Sequence, residues 1–123
     1  MSTRCEIGIL KDGKIKVIYN HYDGYLDGVG KDLITDWNSE ELALKVVDGE
    51  YNNEDYKYEV NSIDEWLEAL NDTDREYAYL WKDGEWIYAE VADDWKWPRN
   101  TKWKSVTKEL IKERCDKEDG SKN

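Results

Sequence analysis

Phenylalanine is absent from these 123 residues, and proline, histidine and methionine occur once each. Without Phe, nearly all of the ring area comes from 7 Trp and 9 Tyr, and each of those rings carries an N–H or O–H that needs a partner once buried. Many of them are therefore expected to sit half-exposed. Cysteine is also scarce. Cys5 and Cys115 lie near opposite ends, match no metal-ligand spacing and are too few to staple a secreted scaffold, which points to a reducing cytosol. A single His and no calcium-loop pattern of carboxylates make a poor ligand set, so neither a metal nor a cofactor is expected. No apolar run reaches 18 residues and the opening Met1–Cys5 has no apolar core, so neither a membrane span nor a signal peptide is expected and the expected location is the bacterial cytoplasm.

What the chain has in excess is negative charge, a formal −11. Its distribution is uneven. From Asp32 to Asp94 there are 20 Asp and Glu against 4 Lys and Arg, a balance of −16, whereas Trp95 to Asn123 carries +4. Such a field repels nucleic acid and favours basic proteins.

The length fits one domain, expected over residues 1–115, with 116–123 having nothing to bury and expected to be a disordered tail. The fold class is α+β. Cys5–Leu10 and Ile15–Tyr19 flank an Asp12-Gly13 turn, and Tyr77–Trp81 and Trp86–Val91 flank Asp83-Gly84; both read as β-hairpins, expected to join into one antiparallel sheet. Asn38 or Ser39 caps a helix through Val47, and Ser62-Ile63-Asp64-Glu65 is a capping box opening an amphipathic helix on Ile63, Trp66, Leu67 and Leu70. Gly28-Val29-Gly30-Lys31 can stand at the N-terminus of a further helix through Trp37, and Trp103, Val106, Leu110 and Ile111 mark a C-terminal one. The three or four helices are expected on one face of the sheet. The polar stretch between Asp48 and Glu59 reads as a loop, with room for a short strand at 56–60.

The segment Tyr19-Asn20-His21-Tyr22-Asp23-Gly24-Tyr25-Leu26-Asp27-Gly28-Val29-Gly30 brings together the one His and three of the glycines. With the opening Ser2-Thr3-Arg4, it resembles a group of small uncharacterised proteins of bacteriophages and mobile elements, which begin Ser-Thr-Arg and carry His-x-Asp-Gly-Tyr before a glycine and a helix. The resemblance covers residues 2–34, with Leu26 where many members have proline. It implies a phage or prophage setting.

Three readings compete for this segment. A small hydrolase would use Ser2 or Cys5 as nucleophile, His21 as base and Asp23 as its orienter, although no nucleophile-elbow spacing is present. A phosphate cradle would place Gly28-Val29-Gly30-Lys31 at a helix N-terminus, with Asp23 and Asp27 opposing the anion. The bland reading makes the glycines a tight loop organised by His21 and Asp23, and it is preferred. In the cluster Trp95–Lys104, rings alternate with cations as in single-strand binders, but rings covering the sheet edge with solvated cations is the simpler account.

For the acidic block, the bland reading is a solubilising face. The functional one is a nucleic-acid mimic in which Glu40, Glu41, Asp64, Glu65, Glu68, Asp72, Asp74 and Glu76 occupy the basic groove of a host protein. The sequence thus points to a non-enzymatic, phage-type inhibitor of a bacterial defence nuclease, a CRISPR effector or restriction enzyme, with no catalytic residue, no direct nucleic acid and no membrane partner. The alternative is a small-ligand or nucleotide binder using His21, Asp23, Gly28, Gly30, Trp95 and Trp97, with the hydrolase third.

Overall fold

The computed structural model describes residues 3–112; Ser2, Cys115 and the 116–123 tail lie outside the described residues. In chain order the elements are β1 (Cys5–Lys11), β2 (Lys14–Asn20), a π-type turn (Leu26–Gly30) running into α1 (Lys31–Asp36), α2 (Glu40–Val47), β3 (Lys57–Val60), α3 (Ile63–Leu70), β4 (Tyr77–Lys82), β5 (Glu85–Glu90) and the short β6 (Lys104–Ser105). Residues 106–112 are again helical.

Local chemistry accounts for most of these boundaries. In the β1–β2 turn Asp12 and Gly13 have φ of 54° and 77°, and in the β4–β5 turn Asp83 and Gly84 have 53° and 83°. Two consecutive positive φ values give the turn whose twist matches antiparallel strands, and Asp-Gly adopts them cheaply. Ser39 caps α2 by accepting from the Leu42 N–H at 3.2 Å. Ser62 caps α3 by accepting from the Glu65 N–H at 3.1 Å, and the Glu65 carboxylate reaches back to the Asn61 N–H.

The two hairpins do share a sheet, but it is a six-stranded mixed sheet in the order β3-β2-β1-β4-β5-β6, not an antiparallel one. β1 and β4 lie side by side and run the same way, Cys5 opposite Tyr77 and Ile9 opposite Trp81. A parallel pair cannot be closed by a tight turn, so residues 21–76 form the crossover. On the way they add β3 to the outer side of β2, pairing Ile15 with Val60.

The expectation of helices on one face is also corrected, because both faces are covered. Leu26, Val29, Leu33, Ala43, Val46, Val47 and Val106 pack on Cys5, Ile7, Ile9, Ile18, Tyr79 and Tyr88. On the other side Trp66, Leu67, Leu70 and Trp97 pack on Ile15, Val17, Ala78, Leu80 and Ala89. β1 is consequently buried from Cys5 to Ile9 without alternation, as a central strand covered twice must be. Burying Trp66, Leu67 and Leu70 to 1% exposure or less is worth about 1.5–3 kcal/mol each, which fixes α3 rigidly to the sheet.

Among the described residues no helix is long and apolar enough to cross a membrane.

Candidate functional site

The segment after β2 and the one before β3 meet at one end of the sheet. Buried Asn20 donates from Nδ2 to the Tyr22 carbonyl at 2.6 Å. Asn52 donates to the Asn20 Oδ1 at 2.9 Å and to the Tyr19 carbonyl at 3.1 Å. The loop beyond Tyr22 is closed by its own backbone: the Val29 N–H donates to the Asp23 carbonyl and the Gly24 N–H to the Thr3 carbonyl, both at 2.9 Å. The Tyr79 hydroxyl donates to the Gly24 carbonyl at 2.7 Å from beneath. A Cβ on Gly28 would stand 2.3 Å from the Asp23 carbonyl oxygen, so only glycine fits there. Thr3 and the His21–Gly30 segment are thus held together.

Beside this unit lies a buried ion pair. Glu6, 1% exposed within β1, accepts at Oε1 from the Trp66 Nε1–H at 2.9 Å and from the Tyr58 hydroxyl. Its Oε2 accepts from Arg75 Nε at 3.0 Å. Arg75 also donates to Asp74 at 2.9 Å, and its guanidinium carbon lies 4.1 Å from the centre of the Tyr19 ring and 5.8 Å from that of Tyr56. Burial raises the Tyr58 phenol above its ordinary value of 10.0, and the Glu6 charge adds to the rise.

From this pair a chain of rings leads to the surface. Tyr58 meets Tyr56 at 6.0 Å between centroids, Tyr56 meets Tyr19 at 6.1 Å, Tyr19 meets His21 at 5.9 Å, and His21 meets Tyr22 at 4.6 Å, all edge to face. The Tyr19 hydroxyl and His21 Nδ1 share a 2.5 Å hydrogen bond. Tyr22, Tyr25 and Tyr56 are exposed, three of the five exposed large hydrophobic residues among those described. The Asp23 charge beside Tyr25 pushes its phenol above 10.0.

Many rings are half-exposed as expected, Tyr19, Trp37, Tyr51, Tyr58, Tyr77 and Trp103 among them, and the others fall into a buried and an exposed set. Trp66, Trp86 and Tyr79 are buried with their polar atoms satisfied, Trp86 by the Trp37 carbonyl at 3.0 Å. Tyr22, Tyr25, Tyr56 and Trp95 face solvent. Trp97 is the exception, buried with its Nε1 lacking a hydrogen-bond partner.

The residues expected for a small-ligand loop are not gathered into one site. His21 turns to Tyr19, while Asp23 accepts from the Val29 N–H through its backbone carbonyl and from the Tyr25 hydroxyl through Oδ1. The N–H groups of Gly28, Val29 and Lys31 are already taken by Tyr25, Asp23, and Gly28 with Leu26, so no anion cradle stands open ahead of α1. Gly28 and Gly30 belong to the layer on the α1–α2 side of the sheet, and Trp97 lies under α3 on the other side, its backbone held by Asn71. Trp95 is exposed at φ 63°. Trp103 tilts against Trp66 at 5.8 Å, so Trp97 and Trp103 of that cluster turn onto the sheet face while Trp95, Lys96, Arg99, Lys102 and Lys104 stay outside. Cys5 is fully buried, and that burial drives its thiol far above its ordinary 9.0.

The eight acidic residues do not form one row either. Glu40 and Glu41 open α2 on one side of the sheet, and Asp64, Glu65 and Glu68 lie on α3 on the other. Asp74 is committed to Arg75 and Arg4, and Glu76 is half-buried. What remains contiguous is the exposed set Asp64, Glu65, Glu68 and Asp72, with Arg99 reaching Glu68 at 3.3 Å.

An open cavity of about 320 Å³ lies elsewhere, lined by Tyr88, Ala89, Glu90, Lys102 and Lys104 where the strand pairing of β5 with β6 runs out. No group of His, Cys, Asp and Glu suited to a metal occurs among the described residues. Glu6, Arg75, Tyr56 and Tyr58 escaped the sequence reading, although an acid inside the apolar run Cys5–Leu10 was a signal for them. No protein-family model, curated protein or solved structure matches the chain.

Proposed function

We propose that this chain is a non-enzymatic, phage-type inhibitor that blocks a bacterial defence nuclease, such as a CRISPR effector or restriction enzyme, by placing acidic side chains in its nucleic-acid groove. The observation that carries this reading is α3. Its outer face presents Asp64, Glu65 and Glu68 with no cation of its own, and its inner face is fixed by Trp66, Leu67 and Leu70. Carboxylates on a rigid support are preorganised, so little ordering entropy opposes docking. Asp64 to Glu68 spans about 6 Å of helix axis, a length over which duplex nucleic acid offers three to four phosphate charges.

The test is competition. The protein is immobilised and presented with a CRISPR effector or a restriction enzyme, with and without duplex DNA. Capture displaced by the duplex and weakened by salt supports the reading. Capture indifferent to both removes it.

A further inference from the structure

The exposed tyrosines are a second surface, separate from the α3 carboxylates and with different chemistry. Aromatic rings left in water at one place need a reason, because Tyr22 is 69% and Tyr56 54% exposed while Trp66, Trp86 and Tyr79 are buried in the same molecule. The rings are not loose. Tyr22 is braced by His21, and His21 by Tyr19; Tyr56 is braced by Tyr19 and Tyr58. Both backbone segments are tied together through Asn20 and Asn52.

The molecule also contains its own example of what such rings hold. Arg75 places its guanidinium carbon 4.1 Å from the centre of the Tyr19 ring and 5.8 Å from that of Tyr56, with the carboxylates of Glu6 and Asp74 on its N–H groups. A planar guanidinium takes a ring on its face and a carboxylate on its edge at the same time, which a compact ammonium does less well. The same two components recur at the surface: Tyr22 and Tyr56, joined through His21 and Tyr19, supply faces, and the two segments that carry them also carry the exposed Asp23, Asp27 and Asp55. The Tyr25 hydroxyl already points at Asp23 Oδ1, 3.4 Å away.

We propose that the ledge of Tyr22 and Tyr56, on two segments that also carry the exposed Asp23, Asp27 and Asp55, receives an arginine side chain of a protein partner. Rigid tyrosines meeting an arginine are a usual composition for the centre of an interface, since both offer large contact area with little ordering cost. The charge of the ledge sets the sign of the partner, and the rings set its preference for arginine over lysine.

The probes are two peptides, nona-arginine and nona-lysine, titrated by calorimetry into the full chain at physiological salt. Nona-arginine binds at least fivefold more tightly. In the double variant Tyr22→Leu/Tyr56→Leu, that preference disappears while far-ultraviolet circular dichroism and Tm stay unchanged, as expected for exposed rings. Neutralising α3 instead, with Asp64→Asn, Glu65→Gln and Glu68→Gln, weakens both peptides together and leaves their ratio alone. This separates the ledge from the α3 reading. Equal affinity for the two peptides, or an arginine preference that survives loss of both rings, overturns the proposal.

Discussion

Glu6 and Arg75 stand 69 positions apart in sequence, yet Arg75 Nε donates to Glu6 Oε2 at 3.0 Å, with the carboxylate 1% and the guanidinium side chain 12% exposed. They meet because β1 and β4 are parallel neighbours, which puts the residues just ahead of β4 against the start of β1. The carboxylate also holds Trp66 and Tyr58, so one buried charge joins the sheet, α3, β3 and the segment before β4.

Removing one partner of this pair leaves an uncompensated charge in the core. Arg75→Met is expected to cost about 3–5 kcal/mol in urea unfolding. Glu6→Leu with Arg75→Met costs less than the sum of the singles, although Trp66 Nε1 and the Tyr58 hydroxyl then lack their acceptor and hold the double variant below wild type by about 1–3 kcal/mol. Strict additivity would show that the pair is not coupled.

Alkaline pH should loosen the fold. Burial raises Cys5 from its ordinary 9.0, opposed by its hydrogen bond with Asn20, and burial likewise raises Tyr79, Tyr58 and Tyr51 from 10.0. Between the unfolded and folded values the unfolded chain has released protons that the folded chain still binds, so stability falls as pH rises. It is complete below about pH 9 and declines above it. Thermal scans between pH 7 and 11 check this, and Cys5→Ala makes the first part of the decline shallower. A Tm constant to pH 11 would contradict it.

Two glycines separate conformational strain from steric overlap. Gly13 has φ 77° with nothing within 4 Å of a Cβ, so Gly13→Ala meets only the left-handed penalty of about 1–2 kcal/mol. At Gly28 a Cβ collides with the Asp23 carbonyl, so Gly28→Ala is expected to cost about 1–3 kcal/mol as an overpacked site. It also broadens the amide signals of residues 23–30 in a nuclear magnetic resonance spectrum, because the overlap breaks that loop's own hydrogen bonds. Gly13→Ala leaves those signals sharp.

The parts legible from sequence were those decided by neighbours in the chain. Asp12-Gly13, Asp83-Gly84, Ser39 and Ser62 each act within four residues, and each does what its chemistry suggests. The parallel pairing of β1 with β4 was not legible, since nothing local encodes a contact between Cys5 and Tyr77. The pattern even pointed the other way: Cys5, Ile7 and Ile9 alternate with Glu6 and Gly8 as in a strand covered on one face, although all five residues are buried. The candidate surfaces suffered in the same way. Charge totals merge Glu40 with Asp64, and only the placement of α2 and α3 on opposite sides of the sheet separates them. The ring ledge is assembled from 19–22 and 56–58 across the β2–β3 pairing, a register that sequence spacing cannot supply.

The last prediction concerns the charges that reach a partner. Of the eight acidic residues, Asp64, Glu65 and Glu68 are those whose removal tests docking without touching the core, but Asp64 and Glu65 also stand in the first turn of α3, where carboxylates favour the helix dipole by about 0.3–1 kcal/mol each. Lysine there would confuse a weaker helix with a weaker interface. Asn and Gln keep hydrogen-bonding capacity while removing the charge, so Asp64→Asn, Glu65→Gln and Glu68→Gln together are the informative variant. Exposed charges act over a Debye length of about 8 Å at physiological salt and mainly speed encounter. If the proposed inhibitor reading is right, the triple variant should bind a captured nuclease with a slower on-rate and a flatter salt dependence, losing about 0.2–1 kcal/mol per charge. The corresponding change at Asp72, Asp74 and Glu76 should lower stability as well, because Asp74 is tied to Arg75 and Arg4. Surface plasmon resonance across a salt series, alongside urea unfolding of the same variants, separates the two effects. An α3 triple variant with wild-type association rate at low salt would move the docking surface away from this helix.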